Sequence, residues 1–222
     1  SCCKSTEAVD TKATAPSAAT NTMTKIAIIY YSMYGHMATM CESIKKGAEA
    51  GGAQCDIFQV TETLSEEILG KMGAPPKKDY PIMDVAKMTD YDGFIFGVPG
   101  RFGTMPAQIK TFMDACGGHW QSGALVGKSA GICVSVGTQG GGMETVNLAV
   151  IPFFAHQGMV FVPIGYTNPK VFSYEETHGA SPYGSGTFAG PDGSRQPSDL
   201  EKDVAEHHGK HFASITAKLA AK

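Results

Sequence analysis

The chain has 222 residues, 18 of them basic and 21 acidic, for a formal charge of −3, and 42% of it is apolar. That is enough for one domain with a full core. It excludes a basic nucleic-acid face, and no apolar run reaches the ~18 residues a membrane helix needs.

Residues Ser1 to Thr22 are rich in Ser, Thr and Ala and nearly free of large apolar side chains. Such a segment cannot bury enough surface to order itself, so residues 1–23 are expected to be a flexible tail ahead of a folded domain, 24–222. It has no apolar h-region of a signal peptide. Cys2 and Cys3 at its tip partly match a dual-acylation signal, which makes membrane association through the tail an alternative to a simple tail. The six cysteines form no C-x-x-C pair, and Cys55 and Cys133 lie in apolar strand patterns, so reduced thiols in a cytoplasmic protein are expected.

From Thr24 strands and helices alternate. Ile26 to Tyr31 is a continuous apolar run, the mark of a strand buried on both faces. The loop Ser32-Met33-Tyr34-Gly35 follows, and His36 to Ala50 reads as a helix stopped by Gly51-Gly52. A helix N-terminus offers unpaired N–H groups and a positive dipole end, so this loop is an anion seat. It holds no Lys or Arg. That suits the single terminal phosphate of a cofactor better than a triphosphate with its magnesium.

Ala53 to Val60 is a second strand. The segment Thr61 to Asp90 contains a short helix, Ser65 to Met72, capped by Ser65. Tyr91 to Val98 is the third strand, and Pro106 to Ala115 a helix with proline in its first turn. Lys128 to Val136 is the fourth strand. Met143 to His156 is a helical pattern interrupted at Pro152, where a kink or restart is expected. Met159 to Ile164 is the fifth strand, Gly165 to Pro197 a Gly/Pro/Tyr-rich insertion, and Ser198 caps the final helix. On that helix His207, His208 and His211 read as a solvated face rather than a metal site, since no accompanying Cys or carboxylate arrangement is present. No metal is expected.

Five strands alternating with helices predict a doubly wound parallel sheet with helices on both faces. Ligands of such sheets bind beyond the strand carboxyl ends at the switch point. Three Gly-rich loops fall there: Ser32 to Met37, Pro99 to Thr104 and Val136 to Gly142. Their convergence on one crevice is a stronger signal than any one loop.

The segments Y-Y-S-M-Y-G-H, P-G-R-F-G-T-M, F-M-D-A-C-G-G-H-W-Q-S-G-A-L, G-T-Q-G-G-G-M-E and P-Y-G-S-G-T-F-A-G-P-D-G-S-R-Q-P-S together resemble the WrbA family of FMN-dependent NAD(P)H:quinone oxidoreductases, on the flavodoxin-like fold. The resemblance spans about Lys25 to Lys222, and fungal-type members with an N-terminal extension are the nearest match. It implies FMN as cofactor, NADH or NADPH as donor, and two-electron reduction of quinones such as benzoquinones to hydroquinones by a ping-pong mechanism.

Carried over residue by residue, the resemblance puts Ser32, Met33, Tyr34, Gly35, His36 and Met37 at the FMN phosphate. Pro99, Gly100, Arg101, Phe102 and Gly103 would lie along the ring, with Arg101 near the flavin edge. Val136, Gly137, Thr138, Gln139, Gly140 and Gly141 would take its pyrimidine end, where Val136, Gly137 and Gln139 replace the family's usual hydroxyl residues, as Gly100 does in the second loop. His156 matches a histidine that approaches the flavin, and with Arg101 it is expected to tune the reaction. Trp120 and Tyr34 would contact the planar substrates. The resemblance also implies a homotetramer whose flavin sites border several subunits. Two other readings stay open: a flavodoxin-type carrier of single electrons, and an FMN-binding stress or membrane-associated scaffold with little turnover.

Overall fold

The computed structural model describes residues 23–221, so residues 1–22 of the expected tail, with Cys2 and Cys3, lie outside the described residues. Strands β1 (Lys25–Tyr30), β2 (Gln54–Gln59), β3 (Gly93–Pro99), β4 (Ser129–Val136), β5 (Val160–Phe161) and β6 (Gly186–Phe188) form one parallel sheet. The order is β2-β1-β3-β4-β5, with β6 also paired to β4. Helices α1 (His36–Ala50), α2 (Glu66–Lys71), α3 (Ala107–Asp114), α4 (Gly117–Ser122), α5 (Met143–Gln157) and α6 (Asp199–Ala220) complete it.

The apolar runs of β3 and β4 are buried throughout because both faces of the sheet are covered. The pleat then splits each strand between two cores. Ala27, Ile29, Phe94, Phe96 and Val98 pack with Ile109, Phe112, Val146, Val150 and Phe154 of α3 and α5. Ile26, Ile28, Tyr30 and Ile95 pack with Met37, Met40, Cys41 and Ile44 of α1 and Phe212 of α6. Helices α1 and α6 cross in near backbone contact: a Cβ on Gly47 would sit 1.7 Å from the Glu206 carbonyl oxygen, and one on Gly209 2.0 Å from that of Ile44.

Four expectations change. The fifth strand is split: β5 pairs with β4 only at Ser129 and Ala130, the insertion loops out, and β6 returns to pair with Val134 to Val136. Helix α5 runs unbroken through Pro152, whose ring lies on the exposed side, so the carbonyl left without its N–H donor belongs to Leu148 on the exposed side of the helix. Pro106 is the N-cap of α3 rather than its first helical residue. The histidines of α6 are not one solvated face, since His208 is fully buried. Its Nδ1 faces the Ser185 hydroxyl at 3.0 Å, and Gly131 and Gly184 leave room for its ring. Cys41, Cys55, Cys116 and Cys133 are buried free thiols, as their apolar surroundings predict.

Candidate functional site

The chain runs from β1 to β2 on one side and crosses to β3 on the other, so the switch point lies between the carboxyl ends of β1 and β3. A cleft of about 190 Å³, partly open to solvent, occupies that position. Ser32, Met33, Tyr34, His36, Met37, Pro99, Gly100, Arg101, Val136 and Gly137 of the three expected loops line it.

The first loop ends at Gly35, which takes the left-handed conformation (φ +93°) as N-cap of α1. No side chain caps this helix and its first turn holds no acid. The Ser32 hydroxyl accepts from the Gly35 N–H at 3.1 Å. The next amides, of His36, Met37 and Ala38, precede the first possible helical acceptor, and the first helical bond is Thr39 N–H to the Gly35 carbonyl. This end is therefore a set of aimed donors with a positive dipole and no anion of its own, which fits the phosphate of FMN.

Behind the loop, the buried Tyr31 hydroxyl donates to Glu62 at 2.9 Å. Glu62 also accepts from Gln108, Lys77 and the amides of Thr63 and Leu64. Partial burial alone would raise its pKa, but these donors outweigh it and hold the carboxyl down at about 2. This fixed carboxylate tethers the residue next to Ser32.

The second loop is a tight turn. Arg101 and Thr104 exchange backbone hydrogen bonds, with Phe102 (φ +51°) and Gly103 (φ +78°) between them, both left-handed. Phe102 is the one non-glycine described residue there, and it is fully exposed. Such a position costs about 1–3 kcal/mol for a bulky residue. The Arg101 guanidinium curls back onto the Gly100 carbonyl at 2.9 Å. Gly100 and Val136 explain one another. A Cβ on residue 100 would lie 2.6 Å from Val136 Cγ1 and 3.0 Å from Val146 Cγ2. The space of the hydroxyl side chain that the WrbA resemblance led us to expect at position 100 is filled by the valine that replaces a hydroxyl at 136.

The other expected residues are placed differently. Gly142 and Gly103 bring the second and third loops into contact, but Phe102, Gly103, Thr138, Gly140 and Gly141 do not line the cleft. Gln139 faces a separate cavity formed by the insertion around Tyr166 and Phe172. His156 is exposed in the last turn of α5, which carries it about 20 Å from the cleft at about 1.5 Å per residue. Trp120 lies on α4 rather than in a loop and is 63% exposed. The Gln157 side chain donates to the Cys116 carbonyl beside α4, so His156 and Trp120 share the far end of the protomer. Within one protomer neither reaches the cleft.

Ser135, Ala189, Gly190 and Gly193 also line the cleft, and residue-by-residue reading missed them. The last three form a wall after β6, where the Ala189 N–H donates to the Val136 carbonyl. The available signal was the pattern G-T-F followed by A-G-P-D-G, a short strand running into a Gly-rich turn. Among the described residues no cluster of His, Cys, Asp and Glu could hold a metal.

A parallel 2-1-3-4-5 sheet with an uncapped helix end at its switch point defines a flavodoxin-like flavoprotein. Residues 24–170 match the family model described as NADPH-dependent FMN reductase. The chain is 53% identical over 198 residues to a quinone oxidoreductase of Triphysaria versicolor, covering 88% of this chain and 97% of that one. It is 52% identical over 196 residues to an NAD(P)H quinone oxidoreductase of Candida albicans, covering 87% and 98%. In fold it is similar to a WrbA-like protein of Agrobacterium tumefaciens (TM-score 0.62, 20% identity, 90% of this chain and 99% of that one). It is also similar to flavodoxin 1 of Bacillus cereus (TM-score 0.54, 18% identity, 86% and 98%). The chain belongs to the NADPH-dependent FMN reductase family, in its WrbA-type branch of FMN-dependent quinone oxidoreductases.

Proposed function

We propose that the protein is an NAD(P)H:quinone oxidoreductase that binds FMN in the cleft between the three loops and the 189–193 wall. The observation that carries this reading is the uncapped, acid-free N-terminus of α1 at the switch point. The names of relatives at 52–53% identity supply the substrates. Ser32 and the first-turn amides of α1 would hold the phosphate, while Gly100, Arg101, Val136 and Gly137 would flank the ring. FMN, when bound, supplies the two-electron redox chemistry that links a nicotinamide to a quinone. The chain's part is to hold and orient. Arg101 presents a cation at the cleft edge, and Tyr34, 44% exposed, offers a ring to planar substrates.

The site is proposed to be completed in a homotetramer. Trp120 and His156 lie together, exposed, at the end of the protomer away from the cleft, so they can serve a flavin only on another copy. The domain is read as residues 24–222 after a tail of 1–23, with a cytoplasmic location and membrane association only through Cys2 and Cys3 acylation.

The purified protein is expected to be yellow, to bleach anaerobically with NADH or NADPH, and to regain its colour with benzoquinone. Bound FMN that no nicotinamide bleaches would overturn the assignment in favour of a carrier or scaffold. Sedimentation at assay concentration is expected to find four copies, and His156→Ala to slow turnover while leaving flavin bound. A fully active monomer would remove Trp120 and His156 from the site.

A further inference from the structure

The wall formed by residues 189–193 is joined to the anion seat through an ion pair outside the three loops, between the half-buried Arg195 and the buried Glu201. Glu201, in the first turn of α6, is fully buried. One carboxylate oxygen accepts from the Gly179 N–H (3.0 Å), the Phe188 N–H (3.3 Å) and Arg195 Nη1 (3.1 Å). The other accepts from the Thr187 hydroxyl (2.8 Å), the Ser198 N–H (2.9 Å) and Arg195 Nη1 (2.9 Å). A helix cap needs only the Ser198 bond. The remaining bonds gather the insertion, β6 and the Arg195 turn onto one charge.

Arg195 carries that anchorage to the cleft. Its guanidinium also donates to the Phe188 carbonyl (2.7 Å) and the Thr177 carbonyl (2.9 Å). Its N–H closes the wall by donating to Ala189 at 2.9 Å. Its own carbonyl accepts from His36 Nε2 at 2.9 Å. A carbonyl only accepts, so this ring nitrogen bears the proton. His36 is the first residue of α1 and is itself buried. One connected path therefore runs from the α6 carboxylate, through Arg195, to the residue whose backbone opens the phosphate seat.

We propose that Arg195 and Glu201 are positioning residues for the cofactor's phosphate. They hold the 189–195 turn against His36 and keep the amides of α1 aimed. This rests on the cleft being the FMN site. The clamp acts at the phosphate end, so its loss weakens FMN more than riboflavin, which has the same ring and no phosphate. A merely structural role affects the two flavins alike.

The test titrates FMN and riboflavin into apoprotein by flavin fluorescence, for wild type, Arg195→Ala, His36→Ala and the double variant. Wild type is expected to prefer FMN. Arg195→Ala is expected to lower FMN affinity about tenfold, about 1.4 kcal/mol, with riboflavin affinity nearly unchanged. Arg195→Lys, which keeps a cation beside Glu201, is expected to restore part of the preference. The double variant is expected to lose little more than either single change, because both break one path. Equal loss of the two flavins in Arg195→Ala, or additive losses in the double variant, would overturn the clamp. If Arg195→Ala does not fold, His36→Ala leaves Glu201 paired and must show the selective loss by itself; retained preference there overturns the proposal. Wild-type apoprotein that binds neither flavin would instead overturn the FMN reading beneath it.

Discussion

The N-termini of α1 and α6 belong to helices packed against each other on the same face of the sheet, yet their ends are opposites. At α6 the Ser198 hydroxyl accepts from the Glu201 N–H, Glu201 accepts from the Ser198 N–H, and Asp199 adds a second acid in the first turn. At α1 a left-handed glycine stands at the cap with no side-chain acceptor and no acid. The same orphan amides arise at both ends. Where the chain supplies its own anion, the end becomes a joint between segments. Where it withholds one at a cleft, the end becomes a site.

The largest effect is expected from breaking the joint. Glu201→Ala leaves Arg195 and the Gly179 and Phe188 amides without their buried acceptor. Breaking a fully buried, hydrogen-bonded pair costs about 3–5 kcal/mol, and the partial exposure of Arg195 puts this loss at the lower end of that range, about 3 kcal/mol. Urea unfolding of the apoprotein is expected to show a loss of that order. A loss of about 1 kcal/mol, the scale of a simple helix cap, would reduce Glu201 to an ordinary capping residue.

Next comes making the open end resemble the closed one. Ser32→Asp would place a carboxylate where Ser32 Oγ now accepts from Gly35. The helix would then carry its own anion, stabilising the apoprotein by about 0.5–1 kcal/mol, while FMN affinity falls about 100-fold, or about 2.7 kcal/mol. Ser32→Ala, which removes one hydrogen bond, is expected to cost only about 1 kcal/mol of binding. Thermal shift of the apoprotein and flavin titration read the two halves separately. Undiminished FMN binding in Ser32→Asp would mean that the phosphate sits elsewhere.

Both helix ends were legible in the sequence, for local reasons. Gly35 before an amphipathic run, Gly51-Gly52 after it, and Ser198 ahead of the last helix are short-range signals, and the observed bounds follow them. The buried runs of β3 and β4 were legible because parallel strands covered on both faces lose polar alternation. Three features depended on long-range packing and were not legible. Gly186-Thr187-Phe188 is too short to show a period, and it is a strand only because β5 leaves the upper half of β4 unpaired. The 189–193 wall exists only because the insertion folds back onto Glu201. The resemblance puts Trp120 and His156 beside the flavin, and nothing local reveals that one protomer carries them to its far end.

His208 is the sharpest case of the same kind, and its effect between pH 7 and 5, about 2 kcal/mol, ranks below those of Glu201→Ala and Ser32→Asp. Its neighbours in sequence, His207 and Lys210, look like a polar face, yet Gly131 and Gly184 make a slot for its ring under the sheet. Its Nδ1 faces Ser185 and its Nε2 has no partner among the described residues. Burial, with minor repulsion from His211 and His207, drives its pKa down to about 3. The folded protein thus keeps the ring neutral where the unfolded chain, near 6.5, takes up a proton. Stability from this group is complete above about pH 6.5 and falls as the pH drops towards 3, because the unfolded state binds more protons across that window. The slope is about 1.4 kcal/mol per pH unit. Glu62, held at about 2, adds a separate loss only below its ordinary value of 4.5. Unfolding free energies measured between pH 7 and 5 therefore leave out this carboxylate and read the histidines, His208 first and the half-buried His207, which burial and His211 also hold below the ordinary value. His208→Gln, which can still accept from Ser185 but cannot take up a proton, is expected to flatten that limb. An unchanged slope would move the acid sensitivity from His208 to its half-buried neighbour His207.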